Sequence, residues 1–245
     1  MTNPFSHFKD ATLIVVVAYR FPDITTYCLS HILNIINDQD NTWIVVINNS
    51  QDPAIIQAID AFNHPQLSKF HLPFNFGKAL AANFFFNQYI TKENLPRTIV
   101  SLDPDTIFSA QSYAKLIKAS QELPQCGMIG MRFKNNHANP ERNLFFKPKK
   151  CIGLNRKHYF LSCPFMCTVA GPILAIAGKK IFTDCNNQLF PKNYIQVYGG
   201  DDSALYNKLR WKYVNGYLEG TEATHLTSSG RVSEDFLAIQ QTQIK

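Results

Sequence analysis

The run Thr12–Ala18 (TLIVVVA) limits the possible folds of this chain more than any other feature does. Almost every residue in it is apolar, and most are β-branched. A strand that is apolar on both faces is typical of a parallel sheet covered by helices on both sides. A second such run, Trp43–Ile47, ends at Asn48. Between the two runs the apolar residues have helical spacing. The pattern therefore predicts βαβ units and a central parallel sheet.

The same alternation continues along the chain. We expect helices at 25–37, 53–62, 79–89, 109–122, 178–185 and 203–211, and strands at 12–18, 43–47, 69–72, 98–102, 127–133, 213–218 and 222–226, with another strand inside 161–176. Residues 135–157 show little periodicity and much turn chemistry, which predicts a mobile loop. The tail, 229–245, is polar.

The length of 245 residues suits one large α/β domain and is too short for two. We therefore expect a single domain with a mostly parallel central sheet flanked by helices. Its first half would be 11–125 and its second half 126–228, followed by the polar tail.

Two aspartates follow the buried run that begins at Ile99. Asp103 and Asp105 flank Pro104, which cannot donate to a strand ladder and should end the strand. The carboxyl end of a buried strand is where open α/β sheets place their ligands. Two carboxylates so close repel each other unless a proton or a cation lies between them. A divalent metal bound to substrate phosphates suits this arrangement, and the alternative is that the pair caps the next helix.

Polar breaks follow several predicted strands, and they begin at Tyr19, Asn48, Asn75 and Asp103. Right-handed crossovers place all these breaks on one edge of the sheet, together with the helix N-termini. Such an edge predicts a site for a phosphorylated ligand.

A second acid pair, Asp201 and Asp202, follows two glycines at the start of a predicted helix. A carboxylate held there can take a proton from a hydroxyl group, and the alternative is an ordinary helix N-cap. His225 lies near the end of the last predicted strand, as a metal ligand or as a hydrogen-bonded histidine.

In their order, these motifs resemble the inverting family 2 glycosyltransferases of the GT-A fold, especially the rhamnosyltransferase-like branch, over residues 12–226. The stretch 103–106 (DPDT) matches the family's D-x-D or N-P-D-T motif. The stretch 75–83 resembles the N-x-G-x-x-x-A-x-N helix start, and 199–202 (GGDD) stands where the family has G-E-D or E-D. Two departures are Asn48-Asn49, where the family often has an aspartate, and Asp201 in place of glutamate.

The resemblance implies metal-dependent transfer of a hexosyl or deoxyhexosyl group from a nucleoside-diphosphate sugar to a hydroxyl, with inversion, in cell-surface polysaccharide or glycolipid synthesis. It implies Mn²⁺ or Mg²⁺ on Asp105, with Asp103 and His225. Asp202 would be the general base, and Asp201 would orient the acceptor. The implied nucleotide-sugar-binding residues are Ala18, Tyr19, Arg20, Asn49, Asn75, Gly77, Lys78, Asp103, Asp105 and Gly171. The nucleotide (UDP, dTDP or GDP) stays open, as does the acceptor, a saccharide or a lipid-linked molecule.

Two other functions remain open from the sequence. A phosphatase of the haloacid dehalogenase type uses D-x-D-x-T with the first aspartate as nucleophile, which would be Asp103. Thr106 stands one place too early for that motif, and about a hundred residues of predicted α/β sheet precede it. The other alternative is a non-catalytic module that binds nucleotide-sugars.

The net charge of +6 is concentrated in 131–158, which has eight Lys and Arg residues against a single acid, Glu141. A basic segment with aromatic residues suits an anionic partner such as phosphate groups or an acidic lipid surface. We expect a lid over the diphosphate or a contact with an anionic membrane, the alternative being a solvated loop, and no nucleic-acid partner. Without a secretion signal or a membrane-spanning run, we expect a cytoplasmic protein with reduced cysteines, peripheral at the inner membrane face.

Overall fold

The computed structural model describes residues 4–36, 41–134, 145–165, 167–169, 171–191, 200–228 and 231–232. After a short 3-10 helix, Ser6–Phe8, its helices are α1 Pro22–Ile35, α2 Pro53–Asp60, α3 Lys78–Tyr89, α4 Ala110–Glu122, α5 Gly178–Asp184 and α6 Asp201–Leu209. Its strands are β1 Thr12–Ala18, β2 Thr42–Asn48, β3 Leu67–His71, β4 Thr98–Leu102, β5 Thr106–Phe108, β6 Cys126–Phe133, β7 Phe146–Ile152, β8 His158–Pro164, β9 Ile173–Ala177, β10 Val214–His225, β11 Thr227–Ser228 and β12 Arg231–Val232.

The central sheet has ten strands in the order β3-β2-β1-β4-β9-β6-β10-β8-β7, with β5 paired to β10. Strands β3, β2, β1 and β4 are parallel neighbours, joined by helical crossovers. In the second half only β6 and β10 are parallel, whereas β9, β8, β7 and β5 pair antiparallel. The expected α/β class with a central sheet flanked by helices is confirmed. The sheet is mostly parallel only in its first half, because antiparallel strands can be joined by short connections without a helix.

Strand β1 is buried on both faces, as its composition predicts. Ile14 and Val16 pack toward the side that carries α1, α2 and α4. Leu13 and Val15 pack toward the opposite side, with α3 and α6. The alternation of side chains along a strand separates these two layers of the core.

Residues 145–157 correct the expectation of a mobile loop, since they form β7 and the turn that leads into β8. The sequence FKPKKCI does not predict this strand, because Pro148 and three lysines replace the usual alternation of apolar and polar residues. An edge strand tolerates both proline and lysine. Residues 135–144 of the expected loop lie outside the described residues, as do 229–230 and 233–245 of the tail.

Strand β10 joins the two strands expected at 213–218 and 222–226 into one. Its pairing with β6 shifts register between Tyr217 and Glu222, where Gly220 adopts a positive φ of 71°. Such an irregularity bends a strand without ending it. The three-residue strand β5 was not expected, because a run so short shows no periodicity.

The Asn83 side chain in α3 forms two hydrogen bonds with the backbone of Phe190, between α5 and α6. Its side-chain amide donates to the Phe190 carbonyl at 2.8 Å, and its carbonyl oxygen accepts the Phe190 N–H at 3.0 Å. Both residues are buried, so neither backbone group of Phe190 could turn to water instead.

We expect Asn83→Ala to lower the free energy of unfolding by about 1–3 kcal/mol, because it leaves buried polar groups of Phe190 without partners. Urea denaturation measures this. Asn87→Ala is the matched control, since Asn87 lies one turn later in the same helix and is exposed. An equal loss in both variants would contradict the role assigned to Asn83.

Candidate active site

Asp103 is fixed at the end of β4 by its backbone. Its N–H donates to the Pro172 carbonyl at 2.8 Å, immediately before β9 begins. Pro104 follows and ends the ladder, so the chain turns away from the sheet at this point. The carboxylate of Asp103 is therefore held beside the segment that contains Gly171.

Asp105 is tied to the end of β10. Its backbone carbonyl accepts the Leu226 N–H at 2.7 Å, and its Oδ1 lies 2.9 Å from His225 Nε2. The Thr227 hydroxyl donates to Oδ2 of the same carboxylate. The Phe133 ring packs edge-to-face on the His225 imidazole, with 5.5 Å between the centroids.

Asp105 and His225 shift each other's pKa in opposite directions. Burial alone would raise the pKa of Asp105, but the hydrogen bonds from His225 and Thr227 bring that pKa below its usual value. Burial alone would lower the pKa of His225, and the neighbouring Asp105 carboxylate raises it overall. Each group therefore favours the charged form of the other when no cation is present.

Asp103, Asp105 and His225 each direct one ligand atom into the same small volume, and these atoms lie within 4.8 Å of one another. Among the described residues, this is the one cluster of three or more side chains that could hold a metal ion. Two carboxylate oxygens and an imidazole nitrogen suit a divalent ion such as Mn²⁺. The residues present therefore fit a metal.

Lys78 joins the two acid pairs. As the first residue of α3, it follows Gly77, whose positive φ of 78° turns the chain into the helix. Its Nζ lies 2.6 Å from Asp103 Oδ1 and 4.0 Å from Asp202 Oδ1, and 5.2 Å from the centroid of the Phe190 ring. Burial opposes a charge on Lys78, but the two carboxylates raise its pKa overall. The ammonium thus stays protonated between them.

Asp202 lies in the first turn of α6, after Gly200 with a φ of 74°. Its Oδ2 accepts the Gly171 N–H at 3.2 Å, whereas its buried Oδ1 accepts no hydrogen bond from the described residues. Burial and the Asp103 carboxylate together outweigh the opposing effect of Lys78 and raise the pKa of Asp202 to about 6. A carboxylate with such a pKa can accept a proton near neutral pH.

The β3–α3 turn is held by two asparagines. Asn49 donates from its backbone to the Ala18 carbonyl at 2.8 Å and from its side chain to Asn75 Oδ1, also at 2.8 Å. Its Oδ1 accepts the Phe76 N–H at 2.8 Å, and Asn75 Oδ1 accepts the Gly77 N–H at 2.8 Å. Both amides therefore position the turn that leads into α3.

The predicted site residues thus fall into groups. Asp103, Asp105, His225, Lys78 and Asp202 converge, with Gly171 attached through Asp202 and with Asp201 buried in the same helical turn. The group Ala18, Asn49, Asn75 and Gly77 forms the hydrogen-bonded turn described above. Tyr19 and Arg20, just beyond β1, contact each other, with the guanidinium 5.0 Å from the ring centroid.

Two contacts of the cluster were not anticipated from the sequence. Thr227 bonds Asp105, and its position two residues after His225 in extended chain was the available signal. Phe190 lies beneath Lys78, and no local pattern marks it.

The chain belongs to glycosyl transferase family 2, whose family model matches residues 13–175. This family does not include the phosphatases that the sequence left open, so that alternative loses its support. A search of curated protein sequences finds no match to the chain.

Solved structures share the fold. Mannosyltransferase PcManGT from Pyrobaculum calidifontis, in complex with GDP-Man and Mn²⁺, has a TM-score of 0.67 and 16% identity, over 97% of this chain and 62% of that one. TarS 1–349 of S. aureus has a TM-score of 0.61 and 14% identity, over 87% and 60%. GalNAc-T7 with UDP, GalNAc and Mn²⁺ has a TM-score of 0.59 and 10% identity, over 90% and 44%. The chain spans less than two thirds of each of these structures. The expected GT-A glycosyltransferase fold is confirmed.

Within the described residues, none of the helices combines the length and the apolar character needed to span a bilayer.

Replacing Lys78 with methionine should lower the free energy of unfolding by about 1.5–3 kcal/mol at pH 7, since it removes a charged hydrogen bond and leaves two carboxylates facing each other. Urea unfolding gives the value. The control is Lys134→Met, which breaks an exposed ion pair with Glu222 at 3.8 Å and should cost at most about 1 kcal/mol. Equal losses would show that Lys78 is an ordinary surface charge.

Proposed function

We propose that the protein is a metal-dependent glycosyltransferase that moves a hexosyl or deoxyhexosyl group from a nucleoside-diphosphate sugar to a hydroxyl acceptor, with inversion of the anomeric centre. The observation that carries the proposal is the Lys78 bridge, which links a metal-type cluster to a carboxylate suited to be a base. Family membership and the nucleotide-sugar complexes of structural neighbours support it. The acceptor is a saccharide or a lipid-linked molecule, in cell-surface polysaccharide or glycolipid synthesis.

Asp105, with Asp103 and His225, would hold Mn²⁺ or Mg²⁺. The ion, when bound, would neutralise charge on the departing diphosphate. His225 would bind as the neutral imidazole, so it would give up its proton when the ion arrives. Thr227 donates to Oδ2 of Asp105 and would thereby keep this carboxylate in a fixed orientation.

Asp202 would accept the proton of the acceptor hydroxyl on its carboxylate. The Gly171 N–H donates to Oδ2, which orients the carboxylate, and Lys78 keeps a positive charge close to it. Attack by the deprotonated hydroxyl on the face opposite the diphosphate inverts the centre and needs no covalent intermediate. Asp201, in the same turn, would orient the acceptor.

The first half of the domain, 11–125, would bind the nucleotide, and the second half, 126–228, the acceptor. Tyr19 would stack on the base with Arg20 near phosphate. Asn49 and Asn75 contribute through the turn that they hold, because their side-chain oxygens are already engaged with backbone N–H groups.

The direct test supplies UDP-, dTDP- and GDP-sugars with Mn²⁺ and measures release of nucleoside diphosphate. Release should need the metal and should stop in Asp105→Ala. It should fall about 10²–10⁴-fold in Asp202→Asn, because a general base contributes about that much. Asp60→Asn, at an exposed acid, should leave the rate unchanged. Donor binding without release in the unaltered chain would instead identify a binding module.

The pH dependence follows from the raised pKa of Asp202. Protonation removes the base as the pH falls, so kcat/KM should decline below about pH 6 and level off above it. A pH–rate profile with saturating Mn²⁺ measures this. A rate that does not change between about pH 5 and pH 8 would rule out Asp202 as the base.

A further inference from the structure

The β7–β8 hairpin, residues 145–165, combines a basic charge with exposed apolar side chains. Its sequence contains five Lys and Arg residues and no acid. The five are Lys147, Lys149, Lys150, Arg156 and Lys157, and all are exposed. A surface of one sign on a single element produces a field that attracts anions.

Apolar side chains accompany these charges. Ile152 is 57% exposed, Leu154 at the tip is 73% exposed and Phe160 is 48% exposed. Cross-strand pairing places Lys150 opposite Phe160 and Ile152 opposite His158. Opposed residues share a face of a sheet, so these four form one outer face of the hairpin.

The inner face of the hairpin is anchored in the core. Cys151, Tyr159 and Leu161 are buried, and the Tyr159 hydroxyl donates to Glu122 of α4. Two acids contact the hairpin from other described elements. Glu122 bonds Tyr159 on the inner face, and Glu219 accepts from the Ser162 hydroxyl at 3.3 Å, two residues farther from the tip than Phe160.

The tip is rigid as well as exposed. The Leu154 N–H donates to the Glu122 carbonyl at 2.9 Å, and the Gln125 side chain donates to the Ile152 carbonyl, also at 2.9 Å. The exposed apolar groups are therefore held in place rather than free to fold back onto the protein.

We propose that the outer face and tip of the β7–β8 hairpin dock on an anionic lipid surface, with Ile152, Leu154 and Phe160 inserted among the headgroups and the surrounding Lys and Arg on lipid phosphates. Basic and apolar side chains interleaved in this way are typical of interfacial membrane contacts. Two of the three inserted groups, Ile152 and Leu154, are aliphatic, which favours lipid over nucleic acid, whose bases stack on aromatic partners. The inference is independent of the transfer reaction, because lipid binding needs neither donor nor metal.

The test is co-sedimentation of the full chain with phosphatidylcholine vesicles, with and without phosphatidylglycerol. Binding should require the anionic lipid and weaken with salt. The triple change Lys150→Gln, Arg156→Gln and Lys157→Gln should weaken it about a hundredfold, and the double change Ile152→Ser and Leu154→Ser at least about tenfold.

Matched controls use comparable substitutions elsewhere. Lys9→Gln with Lys92→Gln and Lys115→Gln removes three exposed charges, and Trp211→Ser removes a side chain that is 82% exposed. Both should bind vesicles like the unaltered chain. The proposal would be overturned if the control variants lost as much vesicle affinity as the hairpin variants. It would also be overturned if the chain bound only neutral vesicles or bound no vesicles.

Two other occupants of the surface would be recognised by different results. A hairpin variant that changes the oligomeric state in sedimentation and not vesicle binding would indicate a second copy of the chain. Single-stranded RNA that displaces the vesicles and loses its own binding in the same variants would indicate a nucleic-acid surface. Either result would overturn the lipid inference, and donor turnover by the hairpin variants would test the transfer proposal separately.

Discussion

The contact of Lys78 with Asp103 and Asp202 is the interaction on which the arrangement at the sheet edge depends. Four acids gather there, from the end of β4 and the start of α6, and such a group would repel itself if it were left alone. One ammonium group, 2.6 Å and 4.0 Å from carboxylates of the two pairs, reduces that repulsion. Because Lys78 begins α3, the position of this helix sets the ammonium between the two pairs, which the 171–172 segment also joins through Asp103 and Asp202.

The division of labour among the acids follows from their surroundings. Asp105 accepts hydrogen bonds from His225 and Thr227, which lower its pKa and keep it ready to bind a cation. Asp202 is half-buried, one of its oxygens accepts no hydrogen bond from the part of the chain that the structure describes, and its pKa rises to about 6. Carboxylates whose environments separate their pKa values in this way can serve different chemical roles in one site. This contrast supports assigning metal binding to Asp105 and proton transfer to Asp202.

The first half of the fold could be predicted from the sequence, because runs such as Thr12–Ala18 carry a strong local signal. The second half was harder. β7 contains Pro148 and three lysines, and β10 bends at Gly220, so neither shows the regular alternation of a strand. Pairing partners and strand direction depend on contacts distant in the chain, which periodicity does not encode.

The acids of the site could be anticipated, because two carboxylates close together after a buried strand repel each other unless a cation or a proton lies between them. Their partners could not. Thr227 bonds Asp105 across 122 positions of sequence, and Asn83 holds Phe190 across 107. The asparagines Asn49 and Asn75 were predicted to bind the nucleotide, and no sequence pattern indicated that their side-chain oxygens also accept from the backbone of the β3–α3 turn. Such contacts depend on the packed fold rather than on neighbouring residues.

The most direct measurement is an anomalous-scattering map from crystals grown with Mn²⁺ and a nucleoside diphosphate. We predict one strong manganese peak among the carboxylates of Asp103 and Asp105 and the imidazole of His225, with the diphosphate beside it and the Asp202 carboxylate facing the space beyond. Manganese bound elsewhere, or a diphosphate far from Asp202, would contradict the convergence of metal and base in one site.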